Sequence, residues 1–170
     1  MNRYLTIVLA TAAACTVHAQ TANPLSTEAK QAYTGVKNNL TKLADKVPEA
    51  EYGFKATPEI RSIGQLIGHV ADSQMRTCSA VNGAAKQPTA SSKTAKADLV
   101  AALKESFAEC DKAFESLTDA TAAKMVKTAR GERTILGALM GTTSHSNEEY
   151  GYLAVYLRLK GIVPPSSEPR

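Results

Sequence analysis

The chain has 170 residues, of which 44% are hydrophobic, with a formal net charge of +4, three cysteines, three histidines and no tryptophan. That length suits one domain able to bury a real core. Lysine and arginine are spread along the sequence, so the chain shows no nucleic-acid footprint, which needs a basic patch or stripe.

The first stretch, MNRYLTIVLATAAACTVHAQ, places Arg3 before an apolar run from Leu5 to Ala14 and small residues before Gln20. This is the layout of a secretory signal peptide, residues 1–19, cut after Ala19. A lipobox ending in Cys15 is the alternative, but AAAC lacks the usual leucine and leaves a very short apolar region. The run is too short to span a bilayer, which takes about 20 residues. The expectation is a periplasmic or secreted domain over 20–170, with no membrane span after cleavage and a net charge of +3 once Arg3 is lost.

Alternating β-branched and aromatic runs are absent, so strands are not expected. A first helix is expected from about Pro24 to Asp45, its seam running from Leu25 through Ala29, Tyr33, Val36 and Leu40 to Leu43. A second is expected to start at Thr57-Pro58-Glu59, with threonine as N-cap and proline in the first turn, and to end at Asn82-Gly83. A third, about Ala97 to Leu117, spaces Leu99, Leu103, Phe107, Cys110 and Phe114 by three or four, as one buried face requires. A short element near Ala120–Val126 leads to a turn around Gly131. The last helix is expected from Glu132 to about Lys160, with Gly161 as its stop and a frayed SSEPR tail. Four helices of about 20 residues joined by modest connections describe an all-α four-helix bundle.

Two cysteines survive cleavage, Cys78 and Cys110, each in an expected helix. In an oxidising compartment an even count favours a disulfide, here closing a loop worth on the order of 3–4 kcal/mol. Two buried thiols are the alternative. No histidine neighbours either cysteine in sequence, which argues against a reactive nucleophile.

Two histidines remain as candidates for chemistry, His69 and His145, both mid-helix. Positions i and i+4 share a helix face, so His145 and Glu149 can point at one spot. With His69 facing it, two imidazoles and a carboxylate would converge, a set suited to Zn, Ni, Fe or Mn. Spacing alone reads more simply: an ion pair on the helix surface for His145–Glu149, and a hydrogen-bonded core histidine for His69. Asp72, three residues after His69, either orients that imidazole or is solvated. Tyr150, Tyr152 and Tyr156 can each offer a hydroxyl to a cavity.

Two stretches carry a resemblance, TPEIRSIGQLIGHVADSQ and HSNEEYGYLAVYLRLKGIVPP. They resemble the DinB-like family of four-helix bundles, which shows L-x-x-H-x-x-D in the second helix, matched by His69 and Asp72. Its last helix shows H-x-x-x-H-x-G-x-L-x-x-Y-x-R, matched by His145, Gly151, Leu153, Tyr156 and Arg158. Where that family has its third metal histidine, this chain has Glu149. The resemblance implies a divalent metal held by His69, His145 and Glu149, with Asp72 and Tyr152 in support, or else a site lost with the histidine. It also implies chemistry like that of metal-dependent transferases and isomerases that use a low-molecular-weight thiol, and a bundle able to form a homodimer; the expectation drawn here is a hydrolase or transferase acting on a small molecule. A non-catalytic helical module is the rival, for which an imidazole–carboxylate hydrogen bond is expected instead of a metal.

Overall fold

Pro24 opens the first helix, α1 (Pro24–Lys46), in a computed structural model that describes residues 23–169. The expected leader and the Cys15 alternative lie outside those residues. Ala29, Tyr33, Leu40 and Leu43 of α1 are buried as the seam requires, whereas Leu25 is exposed. The start of α1 is capped from elsewhere in the chain: Asp119 accepts from the backbone N–H of Leu25 and Ser26, and Asn23 accepts from that of Asp119. A side-chain oxygen on orphan N–H groups is what a helix start demands.

Helix α2 runs over Ile63–Val81, so its start lies six residues beyond the expected Thr57 cap. Ser62 and Gln65 form a reciprocal capping box there, which satisfies two orphan donors at once. The next two N–H groups, of Ile63 and Gly64, donate to the carbonyls of Phe54 and Tyr52. With the donors of the first turn so occupied, residues 57–62 stay a turn.

Helices α3 (Lys96–Glu115) and α5 (Ile135–Leu159) complete the bundle, with a short α4 (Asp119–Ala122) between them. Helix α2 packs against both α3 and α5, and α1 closes the core over them. Cys78 on α2 and Cys110 on α3 form a disulfide, as expected. Among the described residues no helix is long and apolar enough to cross a membrane.

Two expectations fail here. Residues 125–134 are an antiparallel hairpin, β1 (Met125–Thr128) and β2 (Gly131–Thr134), and α5 starts only at Ile135, capped by Thr134. The SSEPR tail is docked rather than frayed. Ser166 bonds to the Tyr150 hydroxyl, Arg158 donates to Ser167, and Lys46 pairs with Glu168 at 2.5 Å.

On one face of α2, Gly64 is pressed against Tyr52 and Leu99, and Gly68 and Asp72 against the loop before α3. A Cβ on Gly68 would lie 3.1 Å from the Ala90 carbonyl oxygen and 3.2 Å from Leu99. Asp72 belongs to this contact. Its carboxylate accepts from the N–H of Ala90 and Ser91 and from the Ser91 hydroxyl. It therefore pins the loop, so neither alternative open in the sequence, an imidazole contact or a solvated carboxylate, describes it.

Candidate metal centre

On α5, Thr142, His145 and Glu149 follow one another at intervals of three and four, so their side chains leave the helix on one side. His69 on α2 meets them. The two helices are held in register nearby, where Gln74 Nε2 donates to Ser146 Oγ at 3.2 Å in the core.

His69 Nε2 and His145 Nε2 lie 3.0 Å apart, their rings edge to face. Glu149 Oε1 is 3.6 Å from the first and 3.5 Å from the second. Both carboxylate distances exceed a hydrogen bond. The carboxylate stands within ion-pair reach of both rings, while the shortest polar contact of the cluster is the one between the two imidazole nitrogens. Glu149 is buried, and its second oxygen, Oε2, has no hydrogen-bond partner among the described residues. The same holds for Nδ1 of His145. A buried carboxylate left without a hydrogen bond is costly, by several kcal/mol in a dry setting.

These atoms fit a divalent ion. Edges of 3.0, 3.5 and 3.6 Å define a triangle whose corners lie about 2.0 Å from a common point. That is the bond length by which zinc takes imidazole nitrogen or carboxylate oxygen. His69, His145 and Glu149 could thus hold a metal together.

Electrostatics favour the ligand form of both imidazoles. Burial, with Arg61, His145 and Arg76 nearby, pushes the His69 pKa below its usual value. Burial and then Arg130 do the same for His145. Each ring is thereby kept neutral, with a lone pair to offer, near pH 7. Burial moves Glu149 the other way, raising its pKa, with Arg61 opposing.

The cluster separates two cavities. His69 and His145 line one, together with Arg76, Arg130, Arg133 and Thr142. Glu149 lines the other, together with Ile60, Arg61, Leu66, Tyr152 and Tyr156. Tyr152 thus stands beside Glu149, but its hydroxyl donates to Glu148 Oε1 at 2.8 Å rather than to the cluster. Tyr156 donates to the Arg61 carbonyl and Tyr150 to Ser166. The arginines escaped the reading by sequence, because they come from α2, the hairpin and the turn before α2, and meet only in the fold.

Comparison with known proteins agrees with this geometry. A family model described as DinB superfamily matches residues 32–153. The chain belongs to the DinB superfamily. Solved structures share the DinB-like helical fold. A DinB-like protein from Bacillus cereus ATCC 10987 superposes with a TM-score of 0.70 at 15% identity, over 82% of this chain and 95% of that one. One from Bacillus subtilis gives 0.65 at 19% identity, over 84% and 99%. A mycothiol-dependent maleylpyruvate isomerase gives 0.56 at 19% identity, over 76% of this chain and 59% of that one. No curated protein matches the chain. In this DinB superfamily member, Glu149 stands where the resemblance led us to expect a histidine.

Proposed function

We propose that this DinB superfamily chain is an exported metal-binding protein that holds one divalent ion through His69, His145 and Glu149. Its reaction is hydrolysis of, or group transfer to, a small molecule. The observation that carries this reading is the buried Glu149 carboxylate, which has no hydrogen bond among the described residues and faces two imidazole nitrogens at 3.5 and 3.6 Å. Zn, Ni, Fe or Mn suits two nitrogens and one oxygen, and three protein ligands leave a position for water or substrate. When bound, such an ion supplies Lewis acidity and lowers the pKa of a water or thiol ligand.

The chain's own residues have separable tasks. His69 and His145 present neutral nitrogens, Glu149 offsets one positive charge, and Gln74–Ser146 holds α2 and α5 at the spacing the cluster needs. Leu66 and Tyr156 give one side of it apolar surface. Hydrolysis is placed first because it needs only water, whereas thiol cofactors of the kind named for the isomerase are kept mainly in the cytoplasm. The disulfide supports export, since such bonds persist in oxidising compartments. Intact mass of the protein recovered from its host is expected to show cleavage after Ala19.

The deciding test is metal content by plasma mass spectrometry, on protein purified without a histidine tag or chelator. About one ion per chain is expected for the wild type and under about a tenth for His69→Ala and His145→Ala. A wild type that stays under about a tenth after incubation with all four metals would overturn the reading.

A further inference from the structure

The cavity on the imidazole side carries a charge pattern that a metal alone does not explain. Arg76 from α2 and Arg130 and Arg133 from the hairpin all line it, and no aspartate or glutamate does. None of the three guanidinium groups has an ion-pair partner among the described residues. Lysines without a carboxylate partner also occur on this surface, but they do not line this cleft, so the distinguishing feature is the gathering of three arginines at one place. Three unpaired like charges gathered in one cleft repel one another and concentrate a positive field there. Their forked donors match carboxylate and phosphate oxygens.

Two further features aim this cleft at a ligand. Thr142 is buried in its wall, and its hydroxyl has no hydrogen-bond partner among the described residues. Above α5, the Arg133 guanidinium lies over Gly141, with Cζ and both terminal nitrogens 3.9 Å from where a Cβ would stand, an ordinary contact distance. Across the cluster the second cavity is more apolar, with Ile60, Leu66, Tyr152 and Tyr156 beside Glu59, Arg61 and Glu149.

We propose that the substrate is an amphipathic small-molecule anion. Its carboxylate or phosphate is held by Arg76, Arg130 and Arg133, with Thr142 as a further hydrogen-bond partner. Its apolar body lies over Leu66, Tyr152 and Tyr156, and its reacting bond is between the two, at His69, His145 and Glu149. This deepens the metal reading by naming a substrate class for the same site, yet the arginine subsite needs no ion to bind an anion and can be tested apart from it.

The test is calorimetric titration of the full mature chain, once stripped by chelator and once loaded with zinc. The probes are phenyl phosphate, benzoate and the neutral benzamide. Phenyl phosphate or benzoate is expected to bind the stripped chain at least tenfold tighter than benzamide, and the tighter of the two assigns the head group. The Arg130→Gln/Arg133→Gln variant is expected to weaken that binding at least tenfold, and the Lys pair at the same positions to recover part of it. Lys42→Gln, on the exposed side of α1, serves as the control and leaves binding unchanged. Thermal melting of each variant confirms folding. Anion binding that is unchanged in the Gln pair, or indistinguishable from benzamide, overturns the subsite. Binding seen only with zinc and indifferent to the arginines also overturns it and leaves the metal reading standing. Arginine-dependent binding to a chain that takes up no zinc supports the subsite and overturns the metal reading.

Discussion

Removing the bond between Cys78 and Cys110 is the perturbation whose size follows most directly from the structure. The two residues are 32 apart in sequence and fully buried, and they join α2, which carries His69, to α3. Closing a loop of that length removes denatured-state entropy worth about 4 kcal/mol. In a domain of this size each kcal/mol moves the melting midpoint by roughly 2–4 °C. The Cys78→Ala/Cys110→Ala variant is therefore expected to melt roughly 8–16 °C below the wild type, followed by circular dichroism at 222 nm. A reductant should bring the wild type down to the same region and leave the variant where it is. If both the substitution and the reductant move the midpoint by less than about 3 °C, the loop-closure argument is wrong for this bundle.

Three further predictions concern the site and its support. Alanine at Gly68 gains about 1 kcal/mol in helix propensity but drives a methyl group against the Ala90 carbonyl, so the net sign is destabilising. Gly35→Ala, where nothing lies within 4 Å, is expected to stabilise, and equal signs from urea unfolding would refute the contact argument. Asp72→Ala strands two backbone N–H groups and one hydroxyl, which should cost roughly 2–4 kcal/mol while leaving metal per folded chain unchanged. Metal lost at unchanged stability would instead return Asp72 to the side of His69. In chelator-treated protein the folded pKa values of His69 and His145 lie below those of the unfolded chain. The unfolded chain therefore binds more protons below about pH 6.5, and stability is lost as pH falls through that region. Glu149, with its pKa raised, works in the opposite sense, so Glu149→Gln should steepen the loss as pH falls below about 6.5; an unchanged slope would refute it.

The long helices were legible because their seams repeat by three and four, and the buried rows Leu40–Leu43, Leu99–Leu103–Phe107 and Leu153–Leu157 follow that spacing. The hairpin was not, since both of its faces stay partly exposed and no two-residue alternation of apolar side chains marks it. Only the turn at Gly131, which takes a positive φ of 99°, was announced in the sequence. The start of the second helix was expected at Thr57, whereas the cap the fold uses is Ser62, five residues on, through its reciprocal box with Gln65. Asp72 lies three residues after His69, which invited a partnership. It also lies four after Gly68 and eight after Gly64, and this second spacing is the one the fold uses. His69, His145 and Glu149 emerged as a set through their place in a family pattern, since each taken singly is an ordinary helical residue. The arginine-lined cleft had no local signal at all. Its parts are spread over 58 positions, from Arg76 to Arg133, and only tertiary structure sums them.

The candidate ligands sit on two helices that the disulfide does not join. His69 rides on α2 and His145 with Glu149 on α5, and apart from the contact between the two imidazoles the polar bond near them across that seam is Gln74–Ser146. Whatever bridges that seam is bound by the native state and not by the unfolded chain, so mass action ties occupancy to folding: at a hundredfold excess over Kd it adds about 2.7 kcal/mol. Resistance to unfolding thereby becomes a reporter for ligands of an unnamed reaction. Metals, anions and thiols can be ranked by how firmly they hold α2 to α5, before any product has been seen.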